Sequence, residues 1–356
     1  MTKQEAVIKY IEDNYLQHNR LRHDVISDKL QLRMEKPTPD PFLKDGGNSA
    51  AHKSFPSGED LGEAVVWREM TKQDINSIVC HCAQEYDANI TSREVMTALQ
   101  SDLIPDVHPL REYVLSCREW TEEQPDWIDW VASQVRTADN AGSGVQEFRS
   151  SGVTSKHLNS KASELPNISS ADRLWRTCFK KWFVAMVASW MKDEVVNHQV
   201  LVLIGKQGIF KTTWLEHLIP PHLRAYACKL ANSNDLNKDE RLRIAEFGLI
   251  SLDEIDSINN RELNQLKSVI TATDVNERAA YAYTKERRVR LASFCASGNR
   301  RDFLTDITGN RRWLPFEVES ILNPFHTILP YEQLYAQAWA LAQDPLFSYW
   351  FDLDEI

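Results

Sequence analysis

An apolar run, Val200–Ile204, leads into Gly205-Lys206-Gln207-Gly208-Ile209-Phe210-Lys211-Thr212-Thr213, and the residues that follow, Trp214–Leu218, suit a helix. A strand, a glycine-containing turn and a Lys-Thr pair at a helix start form the layout of a phosphate-binding loop. Such a loop works because turn N–H groups and the positive helix end surround a polyphosphate, a lysine ammonium reaches its outer oxygens, and a hydroxyl ligates Mg2+. Gly205, Gly208, Lys211, Thr212 and Thr213 are therefore the candidate nucleotide-binding residues. The usual spacing places glycine directly before the lysine, and Phe210 stands there instead. Gly208 supplies backbone freedom two residues earlier, while Phe210 must accept the dihedrals that the loop imposes. The competing reading is an ordinary strand–turn–helix corner with a surface lysine.

A second segment raises the weight of the first. Phe247–Leu252 is a largely apolar strand ending in paired carboxylates, Asp253 and Glu254. In a parallel sheet that strand end lies beside the phosphate loop, at the carboxyl edge where ligands collect. Asp253 is placed to hold Mg2+ through water, with Thr212 as its partner, and Glu254 to orient or deprotonate the attacking water. A third strand, Val289–Ala296, ends in Ser297-Gly298-Asn299, and Asn299 is expected between the two earlier motifs, near the γ-phosphate or the lytic water. Arg311 or Arg312 is a candidate for stabilising transition-state charge from a neighbouring subunit; either one instead suits DNA or an acidic surface.

The chain has 356 residues, enough for two domains, with 42% apolar and 26% charged residues. No run is long enough to span a membrane and no charged-then-apolar leader begins the sequence, so the expected compartment is the cytoplasm. Six scattered cysteines lack the spacing of a disulfide framework, and Cys80-His81-Cys82 reads as part of a buried helix face. A net charge of −10 argues against a protein that coats nucleic acid over its whole surface. Yet nine basic residues against three acidic ones lie between Arg278 and Arg312, a concentration that suits DNA or phosphate contact at one face.

Helical spacing over residues 3–17, two short strands within Leu21–Leu32, a capping box at Thr91–Glu94, a helix over Leu110–Cys117 and a long helix over Asp172–Lys192 are expected. Trp120, Trp127 and Trp130 read as packed helical layers. Residues 35–60 and 138–170 have linker composition. The division that follows is a mainly helical accessory domain over 1–137, a flexible linker over 138–170 and an α/β P-loop ATPase domain over 171–356.

With these residues in place, the sequence resembles the virulence-associated E (VapE/VirE) family, relatives of superfamily 3 helicases within the AAA+ class. The resemblance rests on Val107–Leu115 with Glu119-Trp120, Gly205–Trp214, Leu252–Glu254, Phe294–Asn299 and Thr308–Trp313. It implies a five-stranded AAA+ core, a homo-oligomeric ring, and ATP hydrolysis coupled to DNA movement in the replication of phages and other mobile elements. The roles of Lys211, Thr212, Asp253, Glu254 and Asn299 carry over position by position, and Phe210 is the departure. The resemblance also implies a pore hairpin between the acidic strand and the third strand. Here that interval holds Tyr281, Tyr283, Lys285, Arg287 and Arg288, a mixture suited to phosphates and base stacking. No acidic cluster in residues 1–170 resembles a primase site, so any primase would be a separate polypeptide. The alternative function is an ATPase switch of the same fold that remodels or signals to a protein partner without unwinding DNA.

Overall fold

The chain, seen in a computed structural model that describes residues 1–34, 66–138, 169–230, 238–258, 260–277, 286–300 and 312–351, divides into two units, Met1–Pro109 and Leu110–Ile356. The first expected linker and residues 139–168 of the second lie outside the described residues.

The first unit begins with α1 (Lys3–Ile11), where Thr2 accepts from the Glu5 N–H while the Glu5 carboxylate accepts from the Thr2 N–H. This reciprocal cap satisfies two donors that a helix start leaves orphaned. A π turn continues to Leu16. β1 (Leu21–Asp24) and β2 (Lys29–Arg33) form the antiparallel pair expected, with Leu21 opposite Leu32. β3 (Trp67–Glu69), α2 (Lys72–Tyr86), α3 (Ser92–Leu99) and β4 (Asp106–Val107) complete the unit. The sheet order is β3-β2-β1-β4. The helices of the front half are accompanied by this four-stranded sheet, of which β3 and β4 were not expected. Strands of two and three residues are too short to show a period in sequence. Thr71 and Asp74 box α2, and Thr91 and Glu94 box α3. Val7, Ile11, Leu21, Ile78, Cys82, Val95 and Leu99 form the core. Of Cys80-His81-Cys82 only Cys82 is buried, because successive helical residues point about 100° apart. Among the described residues no three His, Cys, Asp or Glu side chains gather as a metal group.

Asp74 ties β3 to the start of α2. Its two oxygens accept from both terminal nitrogens of Arg68 at 2.7 Å, and one also accepts from the Thr71 N–H. The Arg68 bonds, outweighing burial and joined by Thr71, hold this carboxyl far below its usual range. A depressed native pKa contributes stability that is present above about pH 4 and is lost as pH falls towards the native value. Asp74→Asn is expected to cost about 1–2 kcal/mol at neutral pH. It should also flatten the acid dependence below pH 4, in urea melts of the full chain compared with wild type.

The second unit runs α4 (Pro109–Ser116), α5 (Trp127–Ala132), β5 (Val135–Thr137), α6 (Ser170–Met191), β6 (Val200–Ile204), α7 (Lys211–His217), β7 (Ala227–Leu230), α8 (Lys238–Glu246), β8 (Leu249–Leu252), α9 (Asn260–Thr271), β9 (Asp274–Glu277), β10 (Glu286–Val289), β11 (Ser293–Gly298), β12 (Trp313–Ile321) and α10 (Tyr331–Gln343). Its six-stranded sheet has the order β5-β12-β6-β11-β8-β7. All pairs are parallel except the edge strand β5, which runs antiparallel to β12. β6, β8 and β11 are buried throughout, as strands covered on both faces must be.

The chain is α/β, and helix α6 anchors this sheet. It opens on Ser169, whose side chain accepts from the Asp172 N–H. Three of its indoles are fully buried, and each finds a backbone carbonyl: Trp175 to Ala132, Trp182 to Phe294 and Trp190 to Gly248. Burying an indole otherwise leaves its N–H unpaired. These tryptophans, with Trp214, carry the packing that Trp120, Trp127 and Trp130 were expected to carry. Trp130 is 39% exposed.

The strand expected over Val289–Ala296 is two strands. β10 pairs antiparallel with β9, Glu286 opposite Glu277. The chain then crosses into the main sheet through Leu291 and Ala292, whose N–H groups both donate to the Ile244 carbonyl. Just before this crossing the fully buried Arg290 donates to carbonyls of Asn197, Ile270, Ala272 and Ala292. Its guanidinium replaces the ladder that a continuous strand would have supplied.

Candidate functional site

Register decides what meets at the sheet edge. Ile204 of β6 lies opposite Gly298 of β11, and Leu252 of β8 lies opposite Ala296 of β11. The loop after β6, the carboxylate after β8 and the polar end of β11 thus leave the sheet on the same side. β11 sits between the other two, which puts Asn299 between Lys211 and Asp253 in strand order.

The loop itself is tightly seated. A Cβ on Gly205 would lie 2.6 Å from the Val318 carbonyl oxygen of β12, so close approach of that strand requires glycine. Gly205 donates to the Gly298 carbonyl at 3.1 Å, which pins the loop to β11. Gly208 has φ +86°, and Phe210 has φ 68° and ψ 18°. A left-handed conformation costs a non-glycine residue about 1–2 kcal/mol. Phe210 recovers some of this through edge contact with Phe325, whose ring centre lies 6.4 Å away. The far end of α7 is fixed by α10, where the hydroxyls of Tyr331 and Tyr335 donate to the last carbonyls, those of His217 and Leu218.

Lys211 is buried, and its ammonium donates to the Gly205 and Lys206 carbonyls at 2.7 Å each and to Asn299 Oδ1 at 3.3 Å. Burial lowers its pKa, opposed by the charges of Asp256 and Asp253. A cation held by loop carbonyls beside an acidic pocket can transfer to stronger acceptors, such as phosphate oxygens.

Asp253 is the most heavily bonded group at the edge. Its Oδ1 accepts from Thr212 at 3.0 Å, from Ser297 at 2.7 Å and from the Glu254 N–H at 3.2 Å. Its Oδ2 pairs with Lys229 Nζ at 2.7 Å. Burial alone would raise the carboxyl pKa, but the bonds from Lys229, Ser297 and Thr212, with the Lys229 charge, bring it down to about 2. The donors gathered here are one carboxylate and two hydroxyls, an all-oxygen set that suits Mg2+ better than zinc.

Other site residues have their own places. Thr213 is half-buried on α7, and its carbonyl accepts from the His217 ring. Glu254 is exposed, in a left-handed backbone (φ 51°) that turns it out of the strand line. The Asn299 N–H donates to Asp256 Oδ1 at 3.3 Å. Arg312 lies at the start of β12, half-buried, while Arg311 lies outside the described residues. Tyr281, Tyr283 and Lys285 also lie outside them, between β9 and β10. Arg287 pairs across that hairpin with Asp274 at 2.7 Å, and Arg288 lies 3.6 Å from Glu246 of α8.

Sequence reasoning missed Ser297, Lys229 and Asp256. Ser297 carried a signal, since strand alternation puts it on the same face as Asn299. Lys229 did not, because the four-residue β7 was unrecognised.

The Virulence-associated protein E-like domain model matches residues 154–352, more than half of the sequence, and the chain belongs to this family. Among curated proteins, no match is found. Solved structures similar to this chain include three of the NrS-1 C-terminal region. An A-form apo structure of residues 305–718 is 9% identical, with a TM-score of 0.40 over 93% of this chain and 67% of that one. A further A-form apo structure is 10% identical, with a TM-score of 0.45 over 90% and 67%. An apo structure of residues 305–718 is 10% identical, with a TM-score of 0.40 over 99% and 71%. No helix among the described residues is long and apolar enough to cross a membrane.

Proposed function

We propose that this chain is a P-loop ATPase of AAA+ type that acts as an oligomeric ring and translocates on DNA during replication of a mobile element. The observation that carries the reading is the meeting of Lys211, Thr212, Asp253 and Asn299 at one sheet edge, with the Lys211 ammonium bonded to Asn299 and the Thr212 hydroxyl to Asp253. Gly205, Gly208 and Thr213 shape the loop around the nucleotide. Thr212 and Asp253 would hold Mg2+, which when bound neutralises charge on the β- and γ-phosphate oxygens. Lys211 leaves its carbonyl partners for those oxygens, Asn299 positions the lytic water, and Glu254 takes its proton. Arg311 or Arg312 is assigned the transition-state charge from an adjacent subunit.

DNA is assigned to the β9–β10 hairpin, with Tyr281, Tyr283, Lys285, Arg287 and Arg288 as contacts. Lys285→Ala with Arg287→Ala is expected to weaken binding to forked DNA about tenfold at 100 mM salt and to reduce the slope of log affinity against log salt by about 1–2. Fluorescence anisotropy across a salt series reads both. An unchanged slope removes the hairpin assignment.

A second reading, an ATPase switch that acts on protein partners, draws on the ion pairs of Arg287 and Arg288 within the chain. ATP turnover measured with single-stranded, double-stranded and forked DNA separates the two. Stimulation by DNA together with strand displacement supports the translocase, and turnover indifferent to DNA supports the switch.

A further inference from the structure

Three oxygens stand within 3.0 Å of one another at the sheet edge. Thr212 Oγ1 is 3.0 Å from Asp253 Oδ1, Ser297 Oγ is 2.7 Å from the same oxygen, and the two hydroxyl oxygens are 2.9 Å apart. The triangle has three contacts but only two hydroxyl protons. Whatever the rotor positions, one edge must be left with lone pairs facing each other.

The charges choose that edge. Asp253 is ionised and accepts only, so both hydroxyl protons are best used on its Oδ1. Its other oxygen is occupied by Lys229, which fixes the carboxylate with Oδ1 towards the hydroxyls. The remaining lone pairs of Thr212 and Ser297 then converge across 2.9 Å. Two neighbouring ligands in an octahedral magnesium shell with bonds of 2.0–2.1 Å are themselves about 2.9 Å apart. Ser297 is 3% exposed, so bulk water does not relieve the convergence.

We infer that the Ser297 hydroxyl is a second direct magnesium ligand beside Thr212, with Asp253 accepting both hydroxyl protons and Lys229 holding Asp253 in place. The inference rests on the proposed ATPase reading and adds a ligand that the phosphate-loop pattern does not contain. Ser297 is the penultimate residue of β11, a strand buried throughout.

The test uses the full chain, Ser297→Ala and Ser297→Cys, with thermal melts to compare folding. Binding of a fluorescent ATP analogue in EDTA reports the nucleotide site without metal. Titration of the protein–nucleotide complex with Mn2+, followed by the paramagnetic resonance of the free ion, reports the metal site. Ser297→Ala should bind the analogue in EDTA like wild type and bind Mn2+ about tenfold more weakly. Ser297→Cys should shift preference from Mg2+ towards Cd2+ by about tenfold or more, because thiolate is a soft ligand. Unchanged Mn2+ affinity in Ser297→Ala, or no shift in metal preference in folded Ser297→Cys, overturns the Ser297 assignment and leaves the ATPase reading standing. Failure of the wild-type chain to bind the analogue, with or without metal, overturns both.

Discussion

Lys211→Met is expected to lower ATP turnover at least about 10³-fold while leaving the melting temperature close to wild type. The first half follows from the ammonium's position, bonded to Asn299 and to the loop carbonyls at the edge where β6 and β11 end. Removing one preorganised donor from a transition state of this type costs about 10²–10³ in rate, and here ground-state nucleotide binding is lost with it. The second half follows from the cost of holding a cation out of water. Burial disfavours the charged lysine, and methionine keeps the apolar stem while relieving that cost. The two released carbonyls, Gly205 and Lys206, border an exposed turn that water can reach. A structural lysine would show the reverse pattern, a marked fall in melting temperature. Single-turnover hydrolysis beside thermal melts distinguishes the cases. Turnover within tenfold of wild type would remove Lys211 from the reaction and the nucleotide reading with it.

The largest effect on stability is expected at Trp190. Its ring is fully buried and stacks on Tyr335, with ring centres 5.6 Å apart at 20°, and its indole N–H donates to the Gly248 carbonyl at 3.1 Å. A Cβ on Gly248 would sit 2.9 Å from the indole, so backbone and ring are fitted without slack. Trp190→Ala should therefore cost about 3–5 kcal/mol, a large share of the roughly 5–15 kcal/mol that holds a domain together. Trp190→Phe keeps much of the apolar area and loses the hydrogen bond, for a smaller cost of about 1–3 kcal/mol. Denaturant melts followed by circular dichroism give both values. Gly248 precedes β8 and Asp253 follows its other end, so ATP turnover in Trp190→Ala should fall only in proportion to the folded fraction. A loss under 1 kcal/mol in Trp190→Ala would contradict the packing described here.

Much of this chain was legible from local signals. The apolar run before Gly205, the Lys-Thr pair after it and the acidic end of the next apolar strand each lie within one element and its turn. Reciprocal caps such as Thr91 with Glu94 span three residues. The helix expected over Asp172–Lys192 forms as Ser170–Met191. These signals depend on contacts no more than about four residues apart, which a linear reading can inspect.

Tertiary structure decided what those elements do together. Thr212 meets Asp253 across 41 residues and Lys211 meets Asn299 across 88. Only the placement of β11 between β6 and β8 makes both meetings possible. Lys229 and Ser297 gained their places the same way, through pairing of β7 with β8 and of β11 with β6. Sequence set the type of the longer elements, because hydrogen bonding and apolar period are local. Strand order and register, and with them the ring of oxygens around Asp253, came from packing between distant segments, whose energies no single stretch of chain contains.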